Sequence, residues 1–183
     1  FSVSFILLVG LTIALIASDN RAASAIANSY PGGKLAFVKA MNVKAKQLDM
    51  FDTVFTDPTG LDKNNISTAF DLVKMAQASN QYPLIRELTT SSYYEAFIKN
   101  KNKTLNYNNT NLLVRQGLWD IDVSKTGYIR EAGKCLLMQT KVLDRPIIMV
   151  FLKSYGKYTR TADAKRAKQW LENIHIQANL AKR

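Results

Sequence analysis

A chain of 183 residues that is 47% hydrophobic and 21% charged can bury the core of one globular domain, which excludes a disordered or fibrous polypeptide. One cysteine, Cys135, and one histidine, His175, exclude an intrachain disulfide, a cysteine-rich metal site and chemistry built on several histidines. The net charge of +11 favours anionic surfaces of any kind and sits in the second half: residues 1–91 carry 8 Lys+Arg against 7 Asp+Glu, residues 92–183 carry 17 against 7.

The most apolar run comes first. Residues 1–17, FSVSFILLVGLTIALIA, have the composition of a secretion-signal core, a short membrane span or a buried helix; no positive region precedes them, and a bilayer needs about 20 residues. Ser18-Asp19-Asn20 then offers capping side chains to a helix over 21–29, which Pro31-Gly32-Gly33 ends. Phe37, Met41, Ala45 and Leu48 recur at helical spacing and predict an amphipathic helix over 35–48, and DPTGL at 57–61 predicts a turn. Thr68 followed by Asp71 resembles a capping box for a helix through Ala78, and residues 82–88 predict a shorter helix. The asparagine-rich segment 99–111 predicts a long exposed loop.

From Trp119 the period changes to two. WDIDVSKTGYI, KCLLMQTKVL and RPIIMVFL predict three strands joined by a glycine-containing turn at 131–133 and a turn at Asp144-Arg145, hence an antiparallel meander with Cys135 as a small buried residue. Ala164, Ala167, Trp170, Leu171, Ile174 and Ala178 mark the sheet-packing face of a C-terminal helix over 162–181, with Lys165, Arg166 and Lys168 off that face. Helices, then an antiparallel sheet, then a closing helix predict the α+β class, the sheet covered by helices.

Two short motifs remain, SDN at 18–20 and KTG at 125–127. Each alone is unspecific; their order, spacing and surroundings are not. ALIASDNRAAS, YPGG, FVKAMNVKAKQL, DPTGL, NISTAFDLVKMAQASNQYPLI, NTNLLV, SKTGYIREAGKCLLMQT and SYGKYTRTADAKR together resemble the low-molecular-mass penicillin-binding proteins of the D-alanyl-D-alanine carboxypeptidase and endopeptidase type, most closely the endopeptidase branch. The resemblance runs from about residue 11 to residue 174, so SDN belongs to a site and Ala17-Ser18 is not a cleavage point.

The resemblance implies one partial β-lactamase/transpeptidase-like domain over 1–183, cleaving peptidoglycan peptides in the periplasm through an acyl-enzyme, with no cofactor and no metal. β-Lactams are the implied covalent inhibitors of the complete enzyme. Ser18 is implied to relay a proton towards the leaving amine and Asn20 to hold a substrate amide. Lys125 supplies positive charge, Thr126 binds the substrate carboxylate or amide, Gly127 keeps the strand clear, and the Tyr128 N–H is one oxyanion donor. Asp19 is expected only to cap. Arg130 is expected to be an exposed strand charge rather than a carboxylate ligand, and NTNLL carries no assigned chemistry.

One departure matters. The family's Ser-x-x-Lys, a nucleophile with its base one helical turn later, lies upstream of SDN, whereas the single match here is Ser154 to Lys157, after the last strand. The chain is therefore expected to lack the attacking serine and to be inactive by itself, and missing N-terminal strands are expected to leave a sheet edge exposed and solubility poor. The competing reading is an inactive module whose basic half rests on cell wall or membrane, a peripheral contact. Nucleic acid is not an expected partner, because the aromatic residues do not interleave with the basic ones.

Overall fold

A computed structural model describes residues 3–98 and 101–181. The apolar run forms helix α1 (Val3–Ala17), with Thr12 and Ile16 buried and the helix packed on α2 (Asn20–Ser29). Among the described residues no helix is long and apolar enough to cross a membrane. Asp19 ends one helix and starts the next: its carboxylate accepts the N–H groups of Arg21 at 2.9 Å and Ala22 at 3.0 Å, two of the donors that every helix start leaves unpaired. Helix α3 (Gly33–Gln47) begins after Gly32, whose φ of 86° suits glycine.

Helix α4 (Ala69–Ser79) has the expected Thr68 cap, its hydroxyl accepting the Asp71 N–H at 3.2 Å. The Asp71 carboxylate does not reach back to close a capping box. It is buried and turns to the preceding loop, accepting the Asp52 N–H at 2.9 Å and the Thr53 hydroxyl at 2.8 Å. Helix α5 (Pro83–Thr90) follows with proline in its first turn, where the absent N–H costs nothing.

The loop expected over 99–111 is instead half of a hairpin. Strand β1 (Tyr93–Ile98) pairs antiparallel with β2 (Lys103–Asn108), Tyr94 opposite Tyr107 and Ala96 opposite Leu105; residues 99 and 100 lie outside the described residues. Leu105 and Tyr107 are the half-buried positions of β2, a period of two carried by two residues among asparagines and lysines. A short helix α6 (Leu112–Gln116), capped by Asn111, leads to the sheet.

The meander is as expected: β3 (Ile121–Ile129), β4 (Gly133–Val142) and β5 (Arg145–Ser154) in the order β3-β4-β5, all antiparallel. This is an α+β fold, with α4, α5 and α7 (Thr159–Leu180) lying against the sheet. Leu113, Leu136, Met138, Val142, Met149 and Ala164 form the core, flanked by Trp119, Ile121, Phe151 and Leu171. Among the described residues no strand pairs with the outer edge of β5.

Three details depart from expectation. Cys135 is half-buried, because it lies where the register of β4 and β5 shifts between Lys134 and Leu136; Lys153 takes a φ of 55° there, and its backbone comes so near Gly133 that a Cβ would stand 3.0 Å from its Cα. On α7 the expected face packs at Ala164, Ala167 and Leu171 but not at Trp170 and Ile174, which are 62% and 43% exposed; Thr161 is buried instead, and the Lys168 ammonium lies 4.7 Å from the Trp119 ring centroid. An ammonium over an aromatic face gains a cation–π attraction, so Lys168 is drawn to Trp119 at the rim of the core while Trp170 stays in solvent. The second hairpin turns on Leu143-Asp144 rather than Asp144-Arg145, because Arg145 is already paired with Val142.

That two-residue turn has φ of 53° at Leu143 and 59° at Asp144, the left-handed pair of a type I′ turn. Leucine resists this region by about 1–2 kcal/mol, while asparagine tolerates it. Leu143 is 44% exposed, so little packing is lost on replacing it. Leu143→Asn is expected to stabilise the protein by about 1 kcal/mol and raise the melting temperature by about 2–4 °C in calorimetry; an unchanged or lower melting temperature would contradict the assignment of strain to this turn.

Candidate active site

The step between α1 and α2 is a single left-handed residue. Ser18 has a φ of 54°, a conformation that a serine holds only when its neighbours fix it. Asp19 fixes it from one side through the α2 cap. From the other side the Thr110 N–H bonds the Ile16 carbonyl at 3.2 Å.

The result is a cleft of about 600 Å³ between the α1–α2 step, the 57–61 turn, Thr110 and the outer end of β3, within the range of small-molecule sites. Ser18, Asn20, Lys125, Thr126, Gly127 and Tyr128 all line it, so two motifs far apart in sequence meet on facing walls. Lys125 Nζ donates to Ser18 Oγ and, at 3.0 Å, to the Thr126 carbonyl. Ser18 Oγ is 3.2 Å from Thr110 Oγ1, and the Thr126 hydroxyl donates to that same Thr110 oxygen at 2.6 Å. Four polar groups thus form a continuous chain from ammonium to strand hydroxyl.

Asn20, the first residue of α2, is exposed where the cleft opens into a second groove of about 740 Å³ lined by Arg21, Lys34 and Asp62; among the described residues its amide makes no side-chain hydrogen bond. Gly127 is exposed, and a Cβ there would meet only Cys135 Cβ at an ordinary 3.8 Å. Tyr128 is exposed with the Lys134 ammonium 4.2 Å from its ring centroid. Asp19 serves the helix start, and the Arg21 side chain, donating at 3.0 Å, holds its carboxyl below the ordinary range.

Three residues of the site carried no assignment in the sequence. Thr110 lies inside the NTNLL block. Arg160, in the first turn of α7, is the guanidinium that reaches the cleft, donating to the carbonyls of Cys135 at 2.9 Å and Gly127 at 3.2 Å. Arg130, the arginine nearer KTG, is exposed and lines no part of the cleft. Asp57 holds the opposite rim: burial pushes its carboxyl up, but the Thr59 hydroxyl, the N–H groups of Leu61 and Thr59, and Lys34 outweigh this and leave it at about 2. As an anion that binds its own loop, it makes 57–61 a stiff wall.

Lys125 is shifted the other way. Burial, and then the positive charge of Arg160, lower its pKa from 10.5 to about 8. Two cationic groups at one end of a cleft suit an anionic group of a ligand, and the hydroxyls beside them can pass or accept protons. Ser154 and Lys157, the one Ser-x-x-Lys spacing, stand at the end of β5 and in the following turn, with Lys157 over the Tyr158 ring, and neither lines the cleft. Among the described residues no group of three His, Cys, Asp or Glu side chains is placed to hold a metal ion.

Known proteins resemble this chain in sequence and in fold. The profile of the D-alanyl-D-alanine carboxypeptidase family matches residues 8–155. A D-alanyl-D-alanine endopeptidase of Escherichia coli is 48% identical over 162 residues, covering 88% of this chain and 52% of the relative. One from Pseudomonas aeruginosa is 46% identical over 168 residues, covering 92% and 54%. The chain therefore spans about half the length of the curated relatives it matches. Among solved structures, penicillin-binding protein D2 of Listeria monocytogenes in its cefotaxime-bound form superposes with a TM-score of 0.72 at 26% identity, over 86% of this chain and 62% of that one. The Streptomyces K15 DD-transpeptidase gives 0.78 at 25% identity, over 86% and 64%.

The Lys125 shift has a sign that can be measured. An unfolded lysine keeps its proton to about 10.5, the folded one to about 8, so between these values the unfolded state binds more protons. Stability is lowered by the buried charge below about 8 and recovers as pH rises to about 10.5. A 13C NMR titration of the lysine Cε resonances is expected to give Lys125 a midpoint of about 8, and Lys125→Met is expected to lack that part of the stability rise. A Lys125 midpoint near 10.5 would contradict the burial argument.

Proposed function

The chain belongs to the D-alanyl-D-alanine carboxypeptidase family, and on that premise we propose that its cleft is the substrate-binding wall of a serine-type peptidase that acts on D-alanyl-D-alanine bonds of peptidoglycan. The observation that carries this reading is the contact of Lys125 with Ser18 across the cleft, with Arg160 beside it. A peptide that hydrolyses through an acyl-enzyme needs an oxyanion site, a proton for its departing amine and a counter-charge for its anionic end.

In this reading a peptide lies along β3 and Asn20 holds one of its backbone amides. The Tyr128 N–H faces the carbonyl oxygen that becomes the oxyanion. The amine leaves with the Ser18 proton, and Lys125 returns a proton to Ser18. At a pKa of about 8 the lysine is charged enough near neutrality to give that proton and not so basic that it keeps it. Thr126 and Arg160 take the polar end of the substrate. β-Lactams, which carry a carboxylate beside an acyl group, are expected to lie in the same place.

The attacking serine comes from outside residues 1–183, because Ser154 and Lys157 are neither in the cleft nor on one helical turn. The chain alone therefore binds such peptides without turning them over. A peptidoglycan substrate places the protein in the bacterial cell envelope, on the periplasmic side.

The test is equilibrium binding. Nα,Nε-diacetyl-L-Lys-D-Ala-D-Ala is expected to shift the backbone N–H resonances of Lys125–Tyr128 in NMR titrations, and its L-Ala-L-Ala isomer is not. Arg160→Ala is expected to weaken binding about tenfold or more, the loss of a charge-assisted hydrogen bond. Equal response to the two isomers, or shifts confined to other regions, would overturn the proposal.

A further inference from the structure

One face of α2 carries a row of polar side chains that the fold does not use. Asn20, Ser24 and Asn28 stand at positions i, i+4 and i+8, and all three line the groove of about 740 Å³ into which the cleft opens. Among the described residues none of the three makes a side-chain hydrogen bond, whereas the Ser29 hydroxyl, outside the groove, bonds the Ile26 carbonyl at 2.9 Å. The uncommitted groups are the ones that face the groove. We infer that this row is a subsite for an extended peptide segment, which carries the substrate past Asn20 and away from the scissile bond.

The spacing fits such a ligand. Four residues of helix advance about 6 Å and two residues of an extended peptide about 6.6 Å, so successive side chains of the row meet every second peptide unit. Two amides and a hydroxyl can each donate and accept, as the N–H and C=O groups of a peptide require. The groove and the cleft share Asn20, Asp57, Thr59 and Leu61, so one ligand can run through both. Lys125 and Arg160 line the cleft and not the groove, which leaves the groove to the end of the peptide remote from them.

The opposite wall is already ordered. The Asn65 side chain accepts the N–H groups of Thr56 at 2.7 Å and Asp57 at 3.0 Å, and it donates to the Asp57 carbonyl at 3.0 Å. A peptide entering the groove therefore meets a loop with little freedom left to lose. Both cations that line the groove are paired, Arg21 with Asp19 at 3.0 Å and Lys34 with Asp57 at 3.3 Å. The groove thus offers neutral hydrogen bonding, which suits a peptide backbone better than a phosphate or a polyanion. This deepens the functional proposal and rests on it for the D-alanyl end of the ligand: the favoured substrate is a long peptide, with residues preceding the scissile bond seated in the groove.

The experiment compares two peptides on two proteins. Nα,Nε-diacetyl-L-Lys-D-Ala-D-Ala, and the same peptide lengthened at its N-terminus by three alanines, are titrated calorimetrically into the full chain and into the double variant Ser24→Ala, Asn28→Ala. Alanine is the best helix former, so the variant keeps α2. The wild-type chain is expected to bind the long peptide about tenfold more tightly, the effect of two added hydrogen bonds less the cost of ordering the added residues. The long peptide is also expected to shift the Asn28 side-chain amide resonances in NMR. The variant is expected to lose the gain and to bind the short peptide as the wild type does. Equal affinity of the wild type for both peptides, or a gain that survives in the variant, overturns the inference and leaves the functional reading standing. A variant that weakens both peptides by the same factor overturns it too, since that marks a structural role. If only the long peptide binds and Asn28 shifts, the D-alanyl reading fails and the groove stands as a peptide site; if neither binds, both fail.

Discussion

The cleft hangs on one backbone step, the left-handed residue Ser18 between two helices, and on the carboxylate of Asp19 that makes the step affordable. Without a cap, the first N–H groups of α2 would face the cleft unpaired, and the chain would have no reason to leave α1 at Ala17. With it, Ser18 is turned out of both helices and its oxygen meets Lys125 from the opposite wall. An apolar helix and a polar cleft can then occupy adjacent residues, which is why the most hydrophobic stretch of the chain ends one residue before a hydroxyl that lines the cleft.

The second wall is organised by the same physics in a different element. Asn109 and Asn111 have their side chains satisfied by backbone and by Ser124, and between them Thr110 is held at a fixed height over β3. Buried amides of this kind are costly when half-bonded and rigid when fully bonded. They join α5, α6 and β3 into one frame, so the hydroxyl chain across the cleft is set by the fold rather than by the flexible ends of long side chains. Lys125 is the exception in length, and burial together with Arg160 tunes its charge rather than its place.

Much of this was legible in the sequence where the signal was local. The caps at Asp19 and Thr68, the period-two strands from Trp119 and the facing of SDN and KTG all follow from short stretches or from the family resemblance. The β1–β2 hairpin was hidden because Leu105 and Tyr107 are too few apolar residues to mark a strand among asparagines. The face of α7 was legible at Ala164, Ala167 and Leu171 but misread at Trp170, because a hydrophobicity pattern counts tryptophan as buried and lysine as exposed, whereas the Lys168 ammonium lies over Trp119 and Trp170 is in solvent. Arg160 and Thr110 could not be assigned from spacing, since what brings them to the cleft is the docking of α7 on the sheet and the α6 cap, both tertiary. Arg130, nearer to KTG in sequence, shows how little proximity along the chain decides.

The central claim is that residues 1–183 hold a complete binding wall whose attacking serine comes from outside them. Intact-mass spectrometry after incubation with a penicillin tests it most directly, on this chain and on the chain joined to a family segment carrying Ser-x-x-Lys. The account predicts a one-equivalent acyl adduct on the joined protein and none on the chain alone. An adduct on the chain alone would place a nucleophile within these residues, and no adduct on either would contradict the assignment of the cleft.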